Sequence, residues 1–421
     1  MGSAIPGEMA PLAAARLQML DVLRGFALLG ILLMNVEYFG RPLADMGAGI
    51  DPNQPALDYA LSWLVYVFVQ GKFWILFSLL FGMGFALMDE RARNAGADFR
   101  VIHLRRSAAL LAIGLAHALL VWAGDILVSY AIGAFVLLWF RDASPRSQGG
   151  WGAALYGVPA LGLVGLALLW LALESSGVST ADPDAVAQQA REAAERAAET
   201  AAYAHGSWWD GTRMRARYFV RHASEMAVFE TFALGAFLVG AWLLRSGAIA
   251  RPWEHARLYR TLRRVALPAG VVLALLSTAV SVRFDWVHDG ARSMLAMALM
   301  LVASPLLSLG YLALLVGALQ TARGARMLAP LAPAGRMALT NYLVQSIVGT
   351  LLFYGFGLGL WGQVPRRWQL LGALVLFALQ VAASRWWLAR FRFGPMEWLW
   401  RACTYGRFSS MRPEAAHNPY T

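Results

Sequence analysis

"LDVLRGFALLGILLMN", residues 20–35, is the stretch whose reading decides the fold. It belongs to an apolar run long enough for a membrane span, yet Asp21 and Arg24 stand at its entrance and Asn35 at its exit. Asp21 and Arg24 are three residues apart and share a helix face. Asn35 follows Arg24 by almost three turns, so it returns to that face about 16 Å further along. A strongly polar group in a bilayer costs roughly 2.5–3.5 kcal/mol, so such groups need partners or a function. The stripe reads two ways: an interfacial ion pair plus a helix-packing Asn, or one wall of a site inside the membrane.

The rest of the chain resembles this stretch in composition. Of 421 residues, 59% are hydrophobic and only 14% charged. A soluble domain carries about 25% charged residues, so most of this exterior faces lipid. The apolar character is spread along the whole chain, which predicts one all-α polytopic domain rather than an anchored soluble enzyme. The net charge of +11 does not indicate nucleic acid, because the charges punctuate the gaps between apolar runs. Of the 36 basic residues, 35 are Arg, and Lys72 is the one lysine. Cys403 is the single cysteine, which excludes an intrachain disulfide and a cysteine-rich metal site. The seven histidines form no HExxH pattern, so no metal is expected. Residues Ser3–Ala15 are only mildly apolar, so no cleavable signal is read and the first span stays in the mature protein.

Apolar runs predict ten spans, near 22–39, 72–88, 107–122, 126–140, 151–173, 226–244, 265–283, 294–319, 338–360 and 369–389. With the N-terminus inside, 24 of the 35 arginines fall on the inner side and both termini are cytosolic. This divides the chain into a tail (1–20), a transmembrane domain (21–402) and a second tail (403–421). Residues 56–73 are apolar too. They are read as an outer interfacial helix, or as one long bent helix with 72–88 jointed at Gly71-Lys72. The outer insertion, 174–225, contains "DPDAVAQQAREAAERAAETAAYA", rich in helix formers, and then "HGSWWDGTRMRARYF". A surface helix followed by an interfacial lid is one reading, and a solvated connector the other.

Other polar groups interrupt the spans. His117 is the only histidine placed deep in an expected span, in its outer half. Imidazole titrates near neutral pH, so His117 is a candidate general base; the alternative is a packed interhelical bond. Asp125 lies eight residues on, about 12 Å along a straight helix, and only a turn at Gly124 could bring the two together. Asp125 otherwise caps the next helix. Lys72 stands at the outer end of 71–87, where it could snorkel to the interface, and Gly82 and Gly84 suit close helix packing. In "GRMALTNYLVQS" (335–346), Arg336–Thr340 and Asn341–Gln345 are i,i+4 pairs. In "FGPMEWLWR" (393–401), Glu397 and Arg401 pair likewise on an interfacial helix. The polar groups sort by depth. Asp21, Arg24, Arg336, Asn341, Glu397 and Arg401 lie inward. Asn35, Lys72, His117 and Asp125 lie outward.

Five motifs, "LDVLRGFALLGILLMN", "GKFWILFSLLFG", "GLAHALLVWAGDIL", "GRMALTNYLVQS" and "GPMEWLWR", together resemble the bacterial YeiB-like family, a domain of unknown function, in order from about residue 16 to 402. That family is similar to a wider group of transmembrane acyltransferases that includes heparan-alpha-glucosaminide N-acetyltransferase. The resemblance implies a multi-pass protein of the bacterial inner membrane. It would move an acyl group from cytosolic acyl-CoA, acetyl-CoA in the acetyltransferase, to an acceptor at the outer face. In that acetyltransferase the first helix ends in an Asn, matched by Asn35, followed eleven residues later by a catalytic His. Here that position is Met46. His117 is the candidate replacement.

The expected function is therefore acyl transfer to a hydroxyl or amine. His117 serves as base, Asp125 orients it and Asn35 binds the oxyanion. Arg24, Arg336, Asn341 and Arg401 meet the acyl-CoA. Partners are the bilayer and a glycan, lipid or small-molecule acceptor, and a homodimer is compatible with the sequence. The rival expectations are a transporter of a small or lipidic solute, whose paired broken helices in repeated halves are not seen, and a non-catalytic assembly protein.

Overall fold

The computed structural model describes residues 6–177 and 184–412. Among them the regular structure is helical: α1 (Pro6–Tyr38), α2 (Ala56–Phe68), α3 (Lys72–Asn94), α4 (Phe99–Leu120), α5 (Leu127–Leu137), α6 (Pro145–Ser175), α7 (Ala185–Thr200), α8 (Trp208–Arg221) and α9 (Ala223–Arg245). Then come α10 (Ala256–Thr261), α11 (Leu267–Val280), α12 (Gly290–Leu319), α13 (Ala322–Leu328), α14 (Leu331–Arg336), α15 (Ala338–Phe353), α16 (Arg366–Leu388) and α17 (Pro395–Tyr405). The one β-type pairing among them is an isolated bridge between Gly49 and Arg283.

Seven helical stretches are long and apolar enough to cross a membrane: 17–38, 56–94, 145–175, 223–245, 256–280, 290–319 and 366–388. Leu127–Phe140 and Ala338–Phe353 are shorter apolar helices. The chain is thus an all-α polytopic membrane protein. Helix α4 opens on Arg100, His103, Arg105 and Arg106, so its composition dilutes an apolar second half. Its start at Phe99 corrects the expected boundary. It also places a second histidine in the core: His103 is buried, donates from Nε2 to Ala134 O at 2.8 Å and stacks on Phe99.

Side-chain contacts gather the helix ends into two groups. At one end Arg141, Arg245 and Arg93 converge on the buried Asp89, each within 3.0 Å. Glu397 of α17 accepts from Thr340 N and Oγ1 at 3.0 and 2.5 Å, and Arg106 lies 3.5 Å over the Trp400 ring. This is the arginine end. At the other, α7 and α8 fold across the bundle. Leu43 N donates to Glu199 at 2.7 Å, Arg196 pairs with Asp45 at 2.8 Å, and Gly355 N donates to Tyr203 O at 2.8 Å. The buried Arg215 reaches Leu119 O at 2.8 Å, and Trp208 Nε1 reaches Leu120 O at 3.0 Å. The insertion is therefore helical and packs across this end of the bundle, the lid end; part of it, 178–183, lies outside the described residues.

Close approaches fix the helix pairs. A Cβ on Gly82 would strike Phe237 O and one on Gly240 would strike Leu79 O, so α3 and α9 touch backbone to backbone. Helices α2 and α3 meet at Gly71, whose φ of 82° terminates one and starts the other. The break frees carbonyls that the sequence reading left unassigned. Lys72 Nζ takes Tyr66 O at 2.9 Å, and the Tyr311 hydroxyl of α12 takes Phe68 O at 2.9 Å. Lys72 is fully buried and does not snorkel.

Candidate functional site

Helix α4 ends at Leu120, and the chain turns through Val121–Ile126 before α5. That turn brings Asp125 back onto His117. His117 Nδ1 donates to Asp125 Oδ2 at 2.6 Å, and the two side chains are 1% and 2% exposed. Asp125 Oδ1 accepts from Val128 N at 2.7 Å, opening α5. The orienting and capping readings of Asp125 therefore hold together, one on each oxygen. The other ring nitrogen, Nε2, is buried and has no hydrogen-bond partner among the described residues.

A cavity of about 390 Å³ opens beside this pair at the lid end. Asn35, Met46, Gln70, Asp125, Ser129 and Tyr342 contribute to its bundle-side wall, and Tyr218, Phe219, His222 and Glu225 to its lid side. The structure thus brings together Asn35, Asp125 and the Met46 position, which the sequence places far apart. The His117 ring lies one layer back. Its neighbours Asp125 and Tyr342 line the cavity, with the Tyr342 ring 5.2 Å from the imidazole. Tyr342 is held to Gly124 O at only 3.5 Å.

The four residues expected to meet acyl-CoA lie elsewhere, and none of them lines this cavity. Arg24 pairs with Asp21 at 2.9 Å as read. Arg336 is exposed and donates to Arg392 O at 3.3 Å. Arg401 stacks over Phe393 and Tyr405, 4.6 and 5.2 Å from their centroids, while Glu397 turns to Thr340 instead of to Arg401. Burial raises the Glu397 carboxyl above its ordinary value, and the Thr340 bonds oppose that rise. Asn341 uses both amide hydrogens, on Ala334 O at 3.2 Å and Ser384 Oγ at 2.9 Å. Gln345 donates to Gln380, not to Asn341, and Gln380 donates to Asn341 O. The expected i,i+4 pairs on this segment are replaced by a polar seam between α15 and α16. The reason is local: the chain kinks at Met337 between α14 and α15, so Arg336 and Thr340 are not on one helix.

Sequence reading missed Tyr342, Ser129 and Glu225 as cavity residues. No spacing signal marks them, because each is brought in by a different helix. Among the described residues no cluster of His, Cys, Asp and Glu could hold a metal ion.

Comparison with known proteins adds a family context. A family described as "Protein of unknown function (DUF418)" matches residues 243–407, which include Asn341 and Arg401 but neither His117 nor Asp125. The uncharacterized protein YxaH of Bacillus subtilis is 34% identical over 93% of this chain and 94% of its own length. The uncharacterized protein YeiB of Escherichia coli is 34% identical over 91% of this chain and 95% of its own. A 39.9 kDa protein of Bacillus acidopullulyticus is 27% identical over 93% of this chain.

Proposed function

The chain belongs to the YeiB- and YxaH-containing DUF418 family, and we propose that it is a transmembrane acyltransferase of the bacterial inner membrane whose reaction centre is the lid-end cavity. The observation that carries this reading is the buried His117–Asp125 pair, bonded at 2.6 Å with Nε2 unpartnered, against a cavity that also holds Asn35. Buried imidazole–carboxylate pairs hold the ring in the tautomer that accepts a proton at Nε2. The core histidine His103 also leaves one ring nitrogen without a partner, so what sets His117 apart is the Asp125 carboxylate on Nδ1 and the cavity beside the pair.

The step follows from these groups. His117 Nε2 takes the proton from an acceptor hydroxyl or amine, and the freed lone pair attacks the thioester carbonyl carbon of acyl-CoA. Asn35 Nδ2 donates to the oxyanion as it forms. Collapse breaks the C–S bond, and the CoA thiolate takes the proton from His117. Tyr342, whose ring lies 5.2 Å from the imidazole, lines the cavity between the acceptor and His117. Arg24, Arg336 and Arg401 would bind the donor's phosphates at the arginine end. The thioester must then reach the cavity, a span of about 16 Å between Arg24 and Asn35 along α1. Asn341, committed to the α15–α16 seam, has no part in the donor site. This reading places the arginine end in the cytosol.

The test is release of free CoA from acetyl-CoA by purified protein in lipid nanodiscs supplied with a panel of amines and alcohols. His117→Ala should lower turnover by about 10²–10⁴-fold, the usual contribution of a general base. A folded His117→Ala protein with full turnover refutes the assignment.

A further inference from the structure

The cavity has a charge of its own. Asp125 and Glu225 are its acidic residues, and no lysine or arginine lines it, in a chain with 36 basic residues. The nearest lysine is turned away: Gly71 lines the cavity, but the next residue, Lys72, sends Nζ to Tyr66 O and Met300 Sδ. Behind the wall stands a further carboxylate. Glu230 follows the lining residue Phe229; both its oxygens are buried, and among the described residues no cation faces them. The hydroxyl of Ser129, itself on the wall, lies beside it. On α5, Ser129 and Gly133 are four residues apart on one face, and a Cβ on Gly133 would sit 3.3 Å from Glu230 Oε2. Glu230 thus stands behind Ser129, outside the lining itself. The remaining walls are aromatic: Trp74 and Phe229 pack at 4.6 Å, joined by Tyr218 and Tyr342.

We infer that the lid-end cavity binds a cationic amine carrying an apolar body, drawn in by Glu225 at the rim and by Glu230 behind Ser129. A carboxyl buried without a cation resists ionisation, and an ammonium ligand supplies the charge that lets it ionise. Aromatic faces accept that charge and the apolar body together. An anionic or neutral polar ligand would meet carboxylates and no matching cation. The inference rests on reading this cavity as the acceptor site, and it is independent of what chemistry follows.

Binding without any acyl donor separates the two. Protein in lipid nanodiscs is titrated by calorimetry at neutral pH with benzylammonium and, as the uncharged isostere, benzyl alcohol. Benzylammonium should bind at least tenfold tighter. Glu230→Gln and Glu225→Gln should each lower that preference, and the double variant should abolish it, while Asp285→Asn, remote from the cavity, should retain it. If Glu230→Gln fails to fold, Glu225→Gln, an exposed position, carries the test alone with an expected loss of about threefold. Equal binding of the two probes, or a preference that survives in the folded variants, overturns the inference. A protein that shows the preference but transfers no acyl group keeps this inference and loses the proposed function.

Discussion

Asn341 shows how one residue type supports two readings from sequence and only one in the fold. In the linear chain it is an amide near arginines, suited to a cofactor. In the structure its two side-chain N–H groups are spent on Ala334 O and Ser384 Oγ, and its backbone carbonyl accepts from Gln380. Asn341→Ala should therefore cost about 1–3 kcal/mol of stability by orphaning buried partners, with the KM for acetyl-CoA unchanged. Thermal denaturation in nanodiscs beside steady-state kinetics checks it, and a raised KM at wild-type stability would return Asn341 to the donor site. His117 went the other way. Its place deep in the bundle was legible, and so was the need for a turn at Gly124. The 2.6 Å contact with Asp125 was not, because turn geometry over Val121–Ile126 is set by tertiary packing, with Trp122 wholly buried. Tyr342 and Glu230 were invisible for the same reason: each matters through a neighbour on another helix.

At the scale of elements, periodicity located the apolar helices well and their starts poorly. Helix α4 begins at Phe99 rather than near 107, since charged residues at a helix end weaken the hydropathy signal without weakening the helix. The insertion was legible as helix and lid, but its latch was not. Glu199 of α7 is wholly buried, accepts from Leu43 N and has no cation against its second oxygen. Burial, more than its acidic neighbours Glu195 and Asp45, pushes its carboxyl up to about 7. An acid whose folded value exceeds its unfolded value near 4.3 favours folding in its protonated form. The lid is then tightest below about pH 4.3 and loosens as pH rises through about 7. Hydrogen exchange at Leu43 and along α7 should quicken across that window in the wild type, and Glu199→Gln should flatten the profile. An unchanged profile in the variant would mean that a group other than Glu199 governs the lid.

For the whole molecule the charge distribution predicts a direction across the membrane. The arginine end carries Arg93, Arg141 and Arg245 around Asp89, with Arg24, Arg106, Arg336 and Arg401 nearby in the fold. Basic residues flanking short loops are retained on the cytoplasmic side during insertion. The lid end has arginines too, but Arg196, Arg221 and Arg366 face Asp45, Glu195 and Glu37, and they sit on a long insertion or in ion pairs. Long loops translocate largely regardless of charge, so these do not reverse the bias. The chain supplies its own reporter: Cys403, the sole cysteine, is exposed on α17 at the arginine end. In intact spheroplasts a membrane-impermeant maleimide should leave Cys403 unlabelled, and in inverted vesicles it should label fully. A Cys403→Ser chain carrying Arg213→Cys on the exposed face of α8 should give the reverse pattern. Labelling of Cys403 from outside would put the lid and its cavity in the cytosol, and with them the acceptor; the donor arginines would then face the compartment that lacks acyl-CoA, and the proposed direction of transfer would fall with the topology.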